Sequence, residues 1–433
     1  MNELDVYLDG VLAGVLTETS TGRVEFVYDP VYRASDDPTP LSRSIPLRAT
    51  RVKPAHVQNF LAGLLPDNER TLARWAREYG TTAANPFRLL RHVGADTAGA
   101  VQILPPGTDA TDAGPRRRRV EWLSQGQLRD TIANLRSRND ADWAPEGRKH
   151  GRWSLAGAQN KVALFRDGDR WGIPLDSTPT NCIVKTLIDG FDSHDLNEYA
   201  SLKVASRIGL AAARVELLHI GNERAIVVER YDRYPDEYGV WHRLHQEDLC
   251  QALGVHPNQK YQLDGGPSPA RIRQVLQDCD PESTGRFFDY IVYNVTIGAT
   301  DAHAKNYSII RDGSDNRLAP LYDVASVWPY EKAPIRSAGL HEVGPTSAMR
   351  VGKNFELAKI SESDFRLLGR DLGLSDDEST QRCRRIRAAV PGAFEEFADE
   401  HDGPDGEVQW LRDLSAAIGR HQTTARAFAA GSQ

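Results

Sequence analysis

No run of about 18 apolar residues occurs in the sequence, and neither does a Cys-x-x-Cys pair, an internal repeat, a low-complexity tract or an excess of basic charge. Each absence removes a class of function. Without a long apolar run no membrane-spanning helix is expected. The four cysteines, Cys182, Cys250, Cys279 and Cys383, lie far apart and have no histidine at metal-ligand spacing beside them. Neither a structural zinc site nor a disulfide framework is therefore expected, and the cysteines read as reduced, mostly buried small residues. Lys and Arg number 53 against 60 Asp and Glu, a formal net charge of −7. That balance argues against a chain that coats DNA by itself, because such binding rests on cations neutralising phosphates. The start, Met1 to Val6, lacks the basic and apolar regions of a signal peptide, so a cytoplasmic location and no membrane partner are expected.

What is present is the composition of an ordinary soluble globular protein, 40% hydrophobic and 26% charged over 433 residues. That length exceeds what one core usually serves, so two or three packed subdomains are expected. Short alternating runs, Leu4–Leu8 and Arg23–Tyr28, separated by turns at Asp9-Gly10 and Gly22, predict a small antiparallel sheet. Helical patterning follows from Pro54 to Tyr79, broken at Leu65-Pro66-Asp67, and again from Asn85-Pro86. Pro105 to Arg119, with four consecutive arginines, reads as an exposed connection whose charges are solvated, with nucleic-acid binding as the alternative. Strand-like runs return at Val162–Phe165, Cys182–Val184 and Ala225–Val228, with an amphipathic helix near Leu196–Ile208 between the last two. After Gln246 the pattern is mainly helical, interrupted by a hairpin-like stretch at Ser308–Ile310 and Leu318–Leu321. Strands followed by helices predict an α+β fold, divided as residues 1–110, 120–245 and 246–433.

Phosphoryl transfer needs a carboxylate near the acceptor hydroxyl, hard oxygen ligands for magnesium, and a cation on the nucleotide phosphates. Asp301 and Asn306 have the Asp-x-x-x-x-Asn spacing of a kinase catalytic loop, and they follow an apolar stretch, Phe287–Ile297, that ends in Gly298. Further on, Leu318–Tyr322 delivers Asp323, a second oxygen ligand suited to magnesium. That spacing alone is common in ordinary turns. Lys185 at a strand end, with Glu198 in the next helix, adds the order of a strand lysine and a helix glutamate; both also read as surface charges. The segment Ser154-Leu155-Ala156-Gly157-Ala158-Gln159-Asn160-Lys161 could bring backbone N–H groups to phosphate, yet it is neither a Walker A motif nor Gly-x-Gly-x-x-Gly, and periodicity alone makes it a hairpin turn.

Taken together, Ser154–Lys161, Val228–Arg233, Gln246-Glu247-Asp248, Lys260-Tyr261, Asp264-Gly265-Gly266-Pro267 and Ile297–Asn306 resemble HipA, the kinase toxin of the HipBA toxin–antitoxin system. Gly63–Asp67, Asn85-Pro86-Phe87 and Gly94–Ala100 resemble the smaller N-terminal subdomain of that family. The resemblance extends to about Val327 and weakens beyond Gly352. It implies a protein-kinase-like fold with a small N-terminal subdomain, a strand-rich nucleotide lobe and an all-helical C-terminal domain, with ATP between the last two. It also implies roles: Asp301 as catalytic base, Asn306 and Asp323 as Mg2+ ligands, and Lys185 on the phosphates. Ala156, Gly157, Ala158, Gln159, Asn160 and Lys161 would cover the phosphates, and the backbone of Glu229-Arg230-Tyr231 would meet the adenine. His303, Ala304, Lys305, Tyr322, Val324 and Ala325 would lie around the nucleotide, with His303 alternatively bracing its own loop.

By the same resemblance Ser154 is a site of regulatory autophosphorylation, which would eject the phosphate loop because a phosphoserine is repelled from a site built for phosphates. A serine capping a turn is the alternative. The implied partners are a dimeric HipB-like DNA-binding antitoxin, operator DNA mainly through that antitoxin, and a translation component as substrate, an aminoacyl-tRNA synthetase such as glutamyl-tRNA synthetase. Two other functions are weighed: an idle co-repressor scaffold acting with the antitoxin, and a metal-dependent hydrolase using Asp301, His303 and Asp323. The run Arg382-Cys383-Arg384-Arg385-Ile386-Arg387 reads as a solvated helix face in preference to a DNA surface.

Overall fold

The computed structural model describes residues 2–48, 52–112, 114–137, 153–157, 159–188, 190–330 and 344–430. The chain divides into two compact units, Met1–Thr186 with Leu218–Asn258 and Ser308–Asn316, and Leu187–Leu217 with Gln259–Tyr307 and Arg317–Gln433.

The first unit opens with a four-stranded sheet in the order β3-β2-β1-β4, built from β1 (Glu3–Leu8), β2 (Val11–Glu18), β3 (Val24–Tyr28) and β4 (Val101–Leu104). Strict alternation along β1 buries Leu4, Val6 and Leu8. Leu8 pairs with Val11 around Asp9-Gly10, where φ is 47° and 76°. Positive φ at both central residues is the primed turn that matches strand twist, and Asp-Gly supplies it with little strain. Helices Pro54–Gly63, Glu69–Glu78 and Pro86–Val93 cover the sheet with Phe60, Leu61, Trp75, Phe87 and Leu90. Asn68 and Asn85 cap the last two by accepting backbone N–H bonds, and Pro86 sits in the first turn, where it removes no helical hydrogen bond.

A second sheet of the same unit has the order β5-β7-β6-β8-β10-β9: β5 (Val120–Trp122), β6 (Lys161–Asp167), β7 (Arg170–Pro174), β8 (Cys182–Lys185), β9 (Val215–Ile220) and β10 (Glu223–Glu229). The helix Gln125–Ser137 packs Leu128, Ile132 and Leu135 against it, in a cluster with Val162, Leu164, Val184 and Val227. The connection ending in the arginine run is only partly a solvated loop. Arg116 and Arg117 are exposed, but Arg118 pairs with Asp112 at 2.7 Å and lies 4.9 Å from the Phe165 ring centroid. A guanidinium that finds both a carboxylate and an aromatic face is worth more docked than hydrated.

The second unit is mainly helical. Its central helix, Pro281–Ile297, buries Phe287, Phe288, Tyr290, Ile291, Val292 and Tyr293. Helices Glu362–Leu372, Asp376–Glu400 and Asp405–Ala430 complete the bundle, and one short hairpin, Thr346–Val351 with Asn354–Glu356, is set among them. The second arginine run behaves as the first does: Arg382 and Arg385 converge on Asp289 of the central helix at 3.0 and 2.9 Å, while Arg384 pairs with Glu362. Two of the charges read as solvated therefore tie one helix to another. Among the described residues no helix is long and apolar enough to cross a membrane.

Candidate functional site

In the second unit the central helix ends at Gly298, whose φ of 74° is the left-handed cap that turns the chain out of the helix. A side chain here is excluded twice, because a Cβ would also come within 2.4 Å of the Trp328 indole. The chain then runs into Asp301. The carbonyl of Asp301 accepts the side-chain N–H of Asn306 at 2.7 Å and the amide of His303 at 2.8 Å, and the His303 carbonyl accepts the Asn306 amide at 2.9 Å. The spacing of Asp and Asn is thus a closed turn in which the Asn306 side chain is tied to the backbone carbonyl of Asp301. The Asn306 side-chain nitrogen is consumed in it, which leaves the amide Oδ1 as the atom a hard cation would take.

The carboxylate of Asp301 is 67% exposed and accepts a hydrogen bond from the Tyr261 hydroxyl. His303 is buried beside it, its Nε2 3.8 Å from the Asp301 Oδ1, beyond hydrogen-bond reach. Burial pushes the imidazole below its ordinary pKa, and Lys260 and Lys305 add to this against the pull of Asp301 and Asp323. Ala304, Lys305 and Asn306 are all buried, and the Lys305 carbonyl accepts the Tyr322 hydroxyl at 2.8 Å.

Asp323 is positioned from both sides. Ahead of it, Leu321 exchanges backbone hydrogen bonds of 2.8 Å with Ala211 and Ala213. Behind it, Asn197 holds Ser326 through both its amide atoms, at 2.8 and 2.9 Å. Between these anchors Asp323 has φ 57°, a left-handed conformation that a non-glycine residue adopts at some cost and that recurs where function needs a side chain aimed. Val324 is buried and Ala325 half-buried. Among the described residues no three His, Cys, Asp or Glu side chains gather as a metal cage. Magnesium in a kinase takes one or two protein oxygens and completes its shell from phosphates and water, and Asn306 with Asp323 is a donor set of that kind.

In the first unit, β6 and β8 place Lys161 directly opposite Lys185, and both are buried. Two like charges directly opposite each other on a sheet repel. The ammonium of Lys161 donates to the Ala156 carbonyl, and Gly157, with φ 104°, has no room for a Cβ because that ammonium would be 2.6 Å away. Gln159 donates to the Thr186 carbonyl at 2.9 Å and Asn160 to the Leu135 carbonyl at 3.1 Å. Ala158 lies outside the described residues. Ser154 is fully buried: its hydroxyl donates to the Leu64 carbonyl at 2.8 Å, and its amide to the Asp96 carbonyl at 2.9 Å. Glu198, buried on helix His194–Arg207, belongs to the second unit, and Lys185 to the first.

Of the three residues read as a hinge, Arg230 is held through both its backbone and its side chain. Its amide donates to the Asn181 carbonyl at 3.0 Å, and its guanidinium bonds Asp232, Asp96, Thr180 and the Thr97 carbonyl. Arg233 and Arg243 also reach Asp96, at 2.8 and 3.4 Å. Burial alone would push Asp96 up; the guanidiniums of Arg233, Arg230 and Arg243 with the Thr180 hydroxyl outweigh it and hold the carboxyl well below the usual range. The motifs containing Asp96 and Arg230-Tyr231-Asp232-Arg233 are visible in the sequence, but this network joining them leaves no pattern there.

Residues 153–394 match the family model for the HipA-like C-terminal domain, and residues 4–104 that for the HipA N-terminal domain. The chain belongs to the HipA family. Y4mE of Sinorhizobium fredii is 34% identical over 86% of each chain. The serine/threonine-protein kinase toxin HipA of Shewanella oneidensis is 28% identical over 91% of this chain and 88% of its own. A solved complex of Shewanella oneidensis HipA with HipB and its operator DNA contains a chain that superposes with a TM-score of 0.81 at 25% identity, covering 97% of this chain and 96% of that one. The α+β, protein-kinase-like fold expected from the HipA resemblance is the fold observed, and the family is that of the HipA-type serine/threonine kinase toxins.

Proposed function

We propose that this HipA-family chain is an active ATP-dependent serine/threonine protein kinase, the toxin of a type II toxin–antitoxin pair. The observation that supports this most is the turn in which the Asn306 amide is fixed on the backbone carbonyl of Asp301, whose own carboxylate stays exposed. Asp301 takes the proton of the acceptor hydroxyl as the hydroxyl oxygen forms its bond to the γ-phosphorus and the bond to the departing ADP breaks. Asn306 and Asp323 hold Mg2+, which when bound neutralises charge on the phosphates. Lys185 and Lys161 meet the phosphates, with Ala156 to Asn160 over them, and the backbones of Glu229 and Tyr231 face the adenine. His303 to Lys305 and Tyr322 to Ala325 line the nucleotide's surroundings.

The substrate is read as a translation component, an aminoacyl-tRNA synthetase such as glutamyl-tRNA synthetase, whose modification arrests growth and yields persistence. The partner is a HipB-like antitoxin that carries the chain to operator DNA. Ser154 is the site of self-phosphorylation. Its hydroxyl is fully buried, so phosphorylation requires its segment to leave the Leu64 carbonyl, and the added charge then prevents return.

Intact mass establishes first whether Ser154 already carries phosphate. Unmodified protein is then incubated with Mg2+ and γ-labelled ATP, alone and with cell extract, beside Asp301→Ala. Label on wild type that is absent from the variant is the expected result. Wild type that binds ATP but transfers nothing would favour the idle co-repressor; protein that does neither ends the kinase reading.

A further inference from the structure

Two motifs, Lys260-Tyr261 and Asp264-Gly265-Gly266-Pro267, have no part in the chemistry described so far. Both belong to one loop of the second unit, and that loop ends in the hydroxyl that touches Asp301. The Lys260 carbonyl accepts the Ala304 amide at 3.2 Å, which fastens the loop to the catalytic turn. The Tyr261 carbonyl accepts the amides of Asp264 and Gly266 at 3.1 and 2.9 Å. Gly265, at φ 87°, reverses the chain after the short turn Gln262–Asp264. Gly266 then lies so close that a Cβ would be 2.3 Å from the Gln259 carbonyl oxygen and 2.6 Å from that of Tyr261. On the other side Gln262 accepts the Arg350 amide at 2.8 Å. The glycines are needed because the backbone folds directly onto the carbonyl of the tyrosine it presents.

We propose that Tyr261 is the positioning residue of the catalytic aspartate: its hydroxyl holds one oxygen of the Asp301 carboxylate and leaves the other for the acceptor hydroxyl. This rests on the kinase reading of Asp301. An exposed carboxylate turns about a broad terminal torsion, so a base on a loop needs something to choose its orientation. His303 does not do it, since its Nε2 is 3.8 Å from the same oxygen. The Tyr261 ring stands edge-on to that imidazole, centroids 4.9 Å apart and planes at 85°, and the Lys260 ammonium lies 5.7 Å from the centroid of the ring. The ring is thus fixed independently of its hydroxyl, and the hydroxyl can be tested alone.

Tyr261→Phe keeps the ring contacts and removes only the donor. The expected result is a kcat for phosphoryl transfer lower by about tenfold, since a base displaced from its working geometry loses rate and not ground-state affinity. The dissociation constant for MgATP and the thermal midpoint should stay at their wild-type values. Gly266→Ala, which displaces the Tyr261 carbonyl without touching Asp301, should lower kcat in the same way, with rates normalised to ATP-binding sites so that misfolded protein is not counted. An active wild type with an equally active Tyr261→Phe overturns this inference and leaves the kinase reading standing. A variant that loses ATP affinity at unchanged kcat overturns it too, because the tyrosine would then hold nucleotide. Wild type without transfer ends both.

Discussion

Two aspartates of this protein live under opposite conditions. Asp96, in the first unit, is 5% exposed and held by three guanidiniums and a hydroxyl; Asp301, in the second, has its carboxylate two-thirds exposed and held by one phenol. Around Asp96 nearly every lone pair is committed, which makes the carboxylate useless as a base and valuable as a joint between the Gly94–Ala100 segment and the stretches beside β8 and β10 that carry Thr180 and Arg230. Around Asp301 the backbone is committed and the carboxylate is not. A buried charge earns its place through completeness of pairing, whereas a working charge depends on what is left unpaired.

The sharpest way to break this contrast is to neutralise each aspartate in turn. Asp301→Asn should cut kcat by about 10²–10⁴-fold, the span a positioned general base contributes, while leaving stability within about 0.5 kcal/mol. Single-turnover transfer from labelled ATP and a thermal melt read the two quantities. Asp96→Asn should do the reverse. Removing one partner from a buried ion cluster strands the others, and the expected loss is about 3–5 kcal/mol of unfolding free energy by urea titration. A stable Asp96→Asn protein, or an unstable Asp301→Asn, would erase the distinction.

A smaller effect comes from His245, fully buried near Asp96's cluster, its Nε2 3.0 Å from the Leu41 carbonyl. Burial pushes its pKa down to about 4, against the pull of Glu247 and Asp232. The unfolded chain takes up its proton near the ordinary value of about 6.5, the folded one only near 4, so between these the unfolded state binds more protons. Stability is therefore fully present above pH 6.5 and falls as the pH is lowered, by up to about 3 kcal/mol at the bottom of that window. Asp96 adds to the slope only at the acid end of this window, below about pH 5, where the unfolded carboxyl begins to take its proton while the folded one is held below the ordinary range. His245→Gln should flatten the urea midpoint between pH 4 and 6.5; an unchanged slope would show that another group carries it.

How much of this could be read beforehand follows the same division. The turn from Asp301 to Asn306 was legible because its parts are six consecutive residues, and because helix termination at Gly298 is written locally. The Asp9-Gly10 turn and the Asn85-Pro86 cap were legible for the same reason. The helix Gln125–Ser137 was missed, although Leu128, Ile132 and Leu135 stand at the spacing that marks one buried helical face. The Asp96 cluster draws on residues 96, 180, 230–233 and 243, and Tyr261 stands 40 positions from the aspartate it touches. Side-chain partners at such separations have no period and no spacing, so their residue types are visible in sequence but their meeting is not. Arg118 and Arg382 were misjudged as solvated for that reason: a run of arginines announces charge, and the carboxylates that capture it lie elsewhere in the chain.

Among the buried groups, the smallest expected loss of stability is at Ser154. Its amide bonds the carbonyl of Asp96, and its hydroxyl bonds Leu64, so the serine of the phosphate-loop segment is built into the structural region. Ser154→Ala removes one neutral hydrogen bond and leaves the amide contact in place, a loss of about 1 kcal/mol. Asp301, Asn306, Asp323 and Lys185 should be untouched, so transfer to an external substrate continues at the wild-type initial rate. What should change is its duration. Wild type incubated with MgATP should gain one phosphate on Ser154 by intact mass and lose activity in step, because the modified serine cannot return to a site with no exposure, where its oxygen faces a carbonyl oxygen. The alanine protein should gain none there and stay active. If the alanine protein inactivates at the same pace, silencing lies elsewhere, and the buried hydroxyl is only a brace like its neighbours around Asp96.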